Sequence, residues 1–111
     1  MTKIYLKQDS VFGFNEISVS GHSGYSDAGS DIICSYISSA CELIMSILID
    51  ELQAEVITDI NPEKAFVELK IPHIPLNLDK KQIISICLSG FVNQMKEFSK
   101  QNPKFVSITI A

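Results

Sequence analysis

The spacing of apolar residues changes along this chain, and that change constrains the fold more than any other feature. Residues 3–8 and 14–20 alternate apolar and polar side chains, as half-buried β-strands do. From residue 31 to about residue 53 the apolar residues recur instead with the period of an α-helix. The first half of the sequence therefore predicts a ββα unit, in which residues 9–13 connect two paired strands.

A second unit of the same kind follows, and one more strand ends the chain. Its two strands cover residues 55–60 and 64–71, and its helix begins with Asp79 as the expected N-cap. Asn102-Pro103 ends this helix, and residues 104–110 alternate again. The sequence thus predicts an α+β two-layer fold in ββαββαβ order, with a largely antiparallel sheet and two helices.

The first predicted helix has more apolar surface than one sheet can cover. On a helical wheel its polar side chains form a narrow stripe, which consists of Ser35, Ser39, Glu42, Ser46, Asp50 and Gln53. The opposite arc is apolar, and Ile32, Tyr36 and Leu43 extend it on one flank. The uncovered part of this arc is therefore expected to meet a second subunit.

The composition narrows the class of protein. The 111 residues fit a single domain, residues 1–111, and the net charge of −4 disfavours direct nucleic-acid binding, which needs clustered Lys and Arg. The N-terminal segment has no signal-peptide pattern, and the apolar run Leu43–Ile49 is too short for a bilayer, so we expect a cytoplasmic protein without membrane contact. Three cysteines and two histidines without metal-ligand spacing predict no disulfide framework, no metal and no other cofactor.

The candidate reactive side chains lie in residues 21–38. His22 follows a predicted strand, Cys34 lies in the first turn of the predicted helix, and a glycine-rich segment connects them. A thiol becomes a good nucleophile when it loses its proton, which a helix N-terminus and a nearby imidazole both favour. The spacing therefore allows a catalytic pair, in which helix-start amides, including that of Cys34, would hold the oxyanion. A packed cysteine and a solvated histidine are the alternative interpretation.

Three neighbouring residues are candidates for supporting roles. Asp31 is a competent N-cap and could instead orient His22 as the third member of a triad. Ser38 lies one turn after Cys34 and could donate a hydrogen bond to the site, or be a buried hydroxyl bonded to a backbone carbonyl. Gly21, with two further glycines in the segment, could be a hinge or could only supply turn geometry.

The remaining cysteines and histidine have structural interpretations. Cys41 and Cys87 fall on or beside apolar stripes and are expected in the core, and His73 lies between prolines in a connection. A redox pair of Cys34 and Cys41 is disfavoured, because two helical turns separate them by roughly 10 Å, beyond disulfide reach.

The segment resembles the signature of the ribosomal-processing cysteine protease family, Prp: G-H-A, a short glycine-containing loop, then G-x-D-I-V-C-A-A-V-S. Here the same positions read Gly21-His22-Ser23, Gly29, and Asp31-Ile-Ile-Cys34-Ser-Tyr-Ile-Ser38. The resemblance extends to the length of the chain and the order of its elements. It implies that His22 and Cys34 are the catalytic dyad, with Gly21, Asp31 and Ser38 at motif positions around them.

The resemblance also implies a substrate and an assembly. Members of the family remove an N-terminal extension from the bacterial large-subunit ribosomal protein number twenty-seven, cutting after an aromatic-aromatic-Ala type sequence, and they are homodimers. This chain departs from the signature at Ser23, Ser35 and Tyr36, of which only Tyr36 is large enough to reshape the pocket or fill the dimer interface. The expected function is thus a homodimeric cysteine endopeptidase acting on a ribosomal-protein precursor; the alternative is a non-catalytic dimeric module that binds the ribosome.

Overall fold

The computed structural model describes residues 1–9, 13–22, 24, 31–72 and 77–111. Within them the chain forms the predicted series of strands and helices. The elements are β1 (Thr2–Asp9), β2 (Gly13–Ser20), α1 (Ile32–Ser46), β3 (Ile57–Asn61), β4 (Phe66–Lys70), α2 (Leu78–Gln101) and β5 (Val106–Ile110). A π-helical turn, Ile47–Glu51, continues α1 at its C-terminal end. The predicted α+β fold in ββαββαβ order is confirmed.

The strands form one five-stranded sheet in the order β3-β4-β2-β1-β5. Both predicted hairpins are present, since β1 pairs with β2 and β3 pairs with β4, each antiparallel. Strand β5 returns after α2 to lie parallel to β1 at the opposite edge from β3. The sheet is therefore largely antiparallel, as predicted, with a single parallel pairing among the described strands.

Both helices cover the same face of this sheet. Every second residue of β1 points to that face, so Ile4 and Leu6 are buried while Lys3 and Lys7 remain exposed. The helices contribute the side chains that pack against them: Ile33, Ile37, Cys41, Ile44 and Leu48 of α1 or its π-helical turn, and Ile84, Leu88, Phe91, Val92 and Met95 of α2. This two-layer core fixes α1 across the sheet.

The caps explain where the helices begin and end. Asp31 caps α1, as expected, but the cap of α2 is Asn77, so the assignment of Asp79 as that cap is wrong. The side chain of Asn77 accepts a hydrogen bond from the backbone N–H of Lys80 at 2.8 Å. Asp79 instead lies inside the first turn, where its charge interacts favourably with the helix dipole. Asn102 ends α2, as predicted.

The first helical segment carries an exposed apolar flank. Ile32 and Leu43 are each 63% exposed. By length and composition alone, the 20 residues Ile32–Glu51, with a mean hydropathy of 2.0, could cross a membrane. However, the inward side chains of this segment pack on the sheet, as those of a core helix do, and the absence of membrane contact stays a prediction.

Candidate active site

An open groove of about 430 Å³ lies between α1 and the β3–β4 hairpin. Four of the five residues predicted for the site line it: Gly21, His22, Cys34 and Ser38. The fifth, Asp31, is buried at the start of α1 and does not line the groove. The structure therefore places residues that follow a strand and residues that begin a helix on one groove.

Cys34 is the third residue of α1 and is half-buried. This position matches the wheel, which places its side chain at the border between the apolar and polar faces. The first turn of a helix presents backbone N–H groups that carry partial positive charge, which stabilises a nearby anion. All three cysteines lie in the described part of the chain, and none of them forms a disulfide.

His22 reaches the groove because the chain turns sharply after β2. Gly21 has a φ of +85°, in the left-handed region that side chains with a Cβ rarely adopt. An added Cβ at this position would lie 2.8 Å from the carbonyl oxygen of Met1. The N–H of Gly21 donates to the carbonyl of Ala65 at 2.9 Å, which ties this turn to the second hairpin. Gly21 thus supplies turn geometry, and His22 follows it as an exposed residue.

Asp31 is an N-cap, and the residue is 1% exposed. One of its oxygens accepts hydrogen bonds from the backbone N–H groups of Ile33 at 3.1 Å and of Cys34 at 3.0 Å. The capping interpretation is confirmed, whereas a role in orienting His22 stays a prediction. The N–H of Cys34 donates to Asp31 in this structure, so it would have to leave that bond to hold the oxyanion, and this expectation stays a prediction.

Ser38 lies one helical turn after Cys34, exposed and facing the groove. The alternative interpretation, a buried hydroxyl bonded to a backbone carbonyl, is therefore wrong. An exposed hydroxyl at this position can contact a molecule bound in the groove.

Comparison with known proteins identifies a family for this chain. The sequence model of one protein family, described as cysteine protease Prp, matches residues 1–107. The chain belongs to the Prp family. It is therefore a cysteine protease, a peptide hydrolase, and the alternative of a non-catalytic module is wrong.

Solved structures share the fold at low sequence identity. The protein SMU.848 from Streptococcus mutans has a TM-score of 0.82 and 16% identity, over 99% of this chain and 93% of that one. The ribosomal processing protease Prp from S. aureus has a TM-score of 0.82 in complex with a covalently linked product peptide, at 13% identity, and in complex with a substrate peptide, at 8%. Both comparisons with the S. aureus protease cover 100% of each chain. No curated protein matches the sequence.

One residue at the site was missed by the sequence analysis. Thr2, at the start of β1, is 1% exposed and lines the groove. Its hydroxyl lies 3.3 Å from the carbonyl oxygen of Gly21 and 3.7 Å from the sulfur of Cys34. The alternation of buried and exposed side chains in β1 indicates this position, because it places Thr2 on the same face as Ile4 and Leu6.

The rest of the groove is mainly apolar. Its wall includes Val19, Ile37, Met45, Ile60, Phe66 and Val67. Cys41 also lines it and is 4% exposed. Burial, with a smaller contribution from the charge of Glu42, raises the pKa of the Cys41 thiol to about 11. Cys41 is therefore protonated and unreactive at neutral pH, and its assignment to the core is confirmed.

Tyr36, the bulky departure from the family signature, lies outside the groove lining. Its ring stacks on Phe98 of α2, with the ring centroids 4.1 Å apart, and its hydroxyl accepts a hydrogen bond from the side-chain amide of Gln94. The expectation that Tyr36 reshapes the pocket is wrong, because the side chain is directed to the contact between the helices. Its expected role in a dimer interface stays a prediction.

A metal site would need several ligands close together. In residues 1–9, 13–22, 24, 31–72 and 77–111, no group of three or more His, Cys, Asp or Glu side chains could hold a metal ion. His73 lies outside the described residues, so its expected position in an exposed connection stays a prediction.

Proposed function

We propose that this chain is a cysteine endopeptidase that removes the N-terminal extension of the bacterial large-subunit ribosomal protein number twenty-seven. Cys34 is the nucleophile and His22 is the general base and acid. The observation that carries this proposal is that both residues line one open groove, with Cys34 in the first turn of α1.

The reaction follows from the chemistry of the two side chains. His22 takes the proton of the Cys34 thiol, and the thiolate attacks the carbonyl carbon of the scissile peptide bond. The resulting imidazolium gives its proton to the leaving amine, and the C–N bond breaks to leave a thioester on Cys34. Water, deprotonated by His22, then attacks the thioester, which releases the carboxylate product and restores the thiol.

The groove wall supports an apolar peptide substrate. Ile60, on the edge strand β3, is 54% exposed, so this wall has apolar surface that a bound peptide could cover. An extension ending in an aromatic-aromatic-Ala type sequence has matching side chains. The structures of the S. aureus ribosomal processing protease with bound peptides support the same substrate class for this chain.

The test is cleavage of a synthetic precursor peptide. We expect Cys34→Ala and His22→Ala to lower kcat/KM by at least about a thousandfold, because each removes a group that the covalent step needs. Cys87→Ala is the matched control, since Cys87 lies on α2 and outside the groove lining. Undiminished cleavage by Cys34→Ala would overturn the assignment. A peptide of the same composition in scrambled order tests the substrate: equal cleavage of both peptides would contradict the proposed preference.

The second part of the proposal is a cytoplasmic homodimer that binds neither nucleic acid nor membrane directly. The net charge of −4 supports the absence of nucleic-acid binding. Exposed apolar side chains on the helices support the dimer: Ile32 and Leu43 on α1 are each 63% exposed and Ile86 on α2 is 72% exposed. We expect Leu43→Glu to give a monomer in size-exclusion chromatography with light scattering. A monomeric wild-type protein would contradict this part of the proposal.

A further inference from the structure

The Thr2 hydroxyl is a buried polar group that the reaction proposed above does not use. Thr2 is held firmly, because its backbone N–H donates to the carbonyl of Phe105 at 2.8 Å and it pairs with Val106 across the parallel strands. The backbone of Thr2 is therefore fixed and its side chain is buried, and the hydroxyl proton can rotate about the C–O bond.

This hydroxyl has one proton and two neighbours that can accept it. When the Thr2 hydroxyl donates to the carbonyl of Gly21, 3.3 Å away, its lone pairs remain available to the S–H group of Cys34, 3.7 Å away. When Cys34 loses its proton, the sulfur becomes an anion and can no longer donate. A hydroxyl then donates to the thiolate in preference to a neutral carbonyl, because charge-assisted hydrogen bonds are the stronger ones.

We propose that Thr2 is a positioning residue that stabilises the thiolate of Cys34. Its proton lies toward Gly21 while the sulfur is a thiol and turns toward the sulfur when the thiolate forms. The shift breaks no covalent bond and moves no net charge. This inference rests on the proposed function, in which Cys34 is the nucleophile.

Site-specific alkylation measures this effect without a peptide substrate. Iodoacetamide reacts with the thiolate, and peptide mapping by mass spectrometry separates Cys34 from Cys41 and Cys87. In Thr2→Val, which keeps the shape and loses the hydroxyl, we expect the rate at Cys34 near pH 7 to fall by about tenfold or more, as loss of one hydrogen bond to an anion would cause. The pH of half-maximal rate should rise accordingly.

Two variants control for a merely structural effect. Thr2→Ser retains a hydroxyl and should restore a profile close to that of the wild type. Thr109→Val makes the same chemical change at an exposed position of β5 and should leave the profile unchanged. If Thr2→Val folds poorly in a thermal melt, Thr2→Ala gives the same comparison with a smaller side chain.

The outcomes separate this inference from the proposed function. A Thr2→Val profile that coincides with the wild-type profile would overturn the inference, even if Cys34→Ala abolishes cleavage. Full cleavage by Cys34→Ala would instead overturn the proposed function. If both proposals hold, Thr2→Val lowers kcat for the precursor peptide at neutral pH and leaves KM nearly unchanged, because Thr2 acts on the sulfur rather than on peptide binding.

Discussion

Asp31 caps α1 next to the candidate nucleophile, so removing its carboxylate measures how much this cap contributes to stability. The buried carboxylate of Asp31 accepts two backbone hydrogen bonds, whereas the exposed side chain of Asn77 accepts one at the start of α2. Loss of an ordinary N-cap costs about 1 kcal/mol of unfolding free energy, and bonds to charged acceptors contribute roughly 1.5–3 kcal/mol each before the cost of burying the charge. We therefore expect Asp31→Ala to lose about 2–3 kcal/mol and Asn77→Ala about 1 kcal/mol.

Thermal unfolding followed by circular dichroism can measure this difference. In a domain of this size 1 kcal/mol corresponds to roughly 5 °C in Tm, so we expect a decrease of about 10–15 °C for Asp31→Ala and about 5 °C for Asn77→Ala. Asp31→Asn keeps one acceptor oxygen and should fall between the wild type and Asp31→Ala. A decrease for Asp31→Ala no larger than that for Asn77→Ala would refute the reasoning, because burial and the second hydrogen bond would then add nothing.

Three other features of the structure can be tested by mutation: a glycine turn, a buried thiol and an aromatic stack. Gly21→Ala should lose more than about 2 kcal/mol of unfolding free energy in urea, because the new Cβ adds a 2.8 Å contact with the Met1 carbonyl oxygen to the strain of a left-handed φ. Gly24→Ala, at φ +80° with open space around it, should lose only about 1 kcal/mol in the same assay. Burial raises the pKa of Cys41 from its ordinary value of 9.0 to about 11, so the stability that its thiol form contributes is present below pH 9 and lost as the pH rises to 11. Relative to Cys41→Ala, the wild type should lose up to about 2 kcal/mol of unfolding free energy over that range. Equal losses in the wild type and in Cys41→Ala would contradict the assignment of Cys41 to the core. Tyr36→Ala should lower Tm through the lost stacking but leave kcat/KM unchanged, and a large loss of activity would show that Tyr36 does act on the groove.

The order of strands and helices could be predicted because the apolar residues of each element recur with the spacing of that type of element. Alternation in β1 and the helical spacing of Ile33, Ile37 and Ile44 are local patterns, and the buried faces follow them. The cap of α2 was misplaced because Asp79 and Asn77 are both competent caps two residues apart. The choice between them depends on where the backbone turns from extended to helical, and the residue types alone leave that open.

The candidate site was predictable to a different extent for each residue. His22 and Cys34 lie twelve positions apart in one motif, so the sequence indicates both together. Thr2 is 32 positions from Cys34 and comes close to it only through the packing of α1 on the sheet. The sequence predicts Asp31 as a cap but leaves open whether the Cys34 N–H bonds to it or holds an oxyanion, because both roles require the same N–H group.

The contrast between Cys34 and Cys41 gives an independent reason to assign the nucleophile to Cys34. Both side chains belong to α1 and line the same groove, seven positions apart. The field of a helix N-terminus falls off within the first turn, so in α1 it reaches Cys34 and not Cys41, and the carboxylate of Asp31 offsets part of it. Cys41 is almost fully buried, and its pKa of about 11 keeps it protonated at neutral pH. Cys34 is half-buried, and the hydroxyl of Thr2 lies within hydrogen-bond reach of its sulfur. The two cysteines of one groove thus differ by position alone, and Cys34 is the one that is less buried and lies next to the Thr2 hydroxyl.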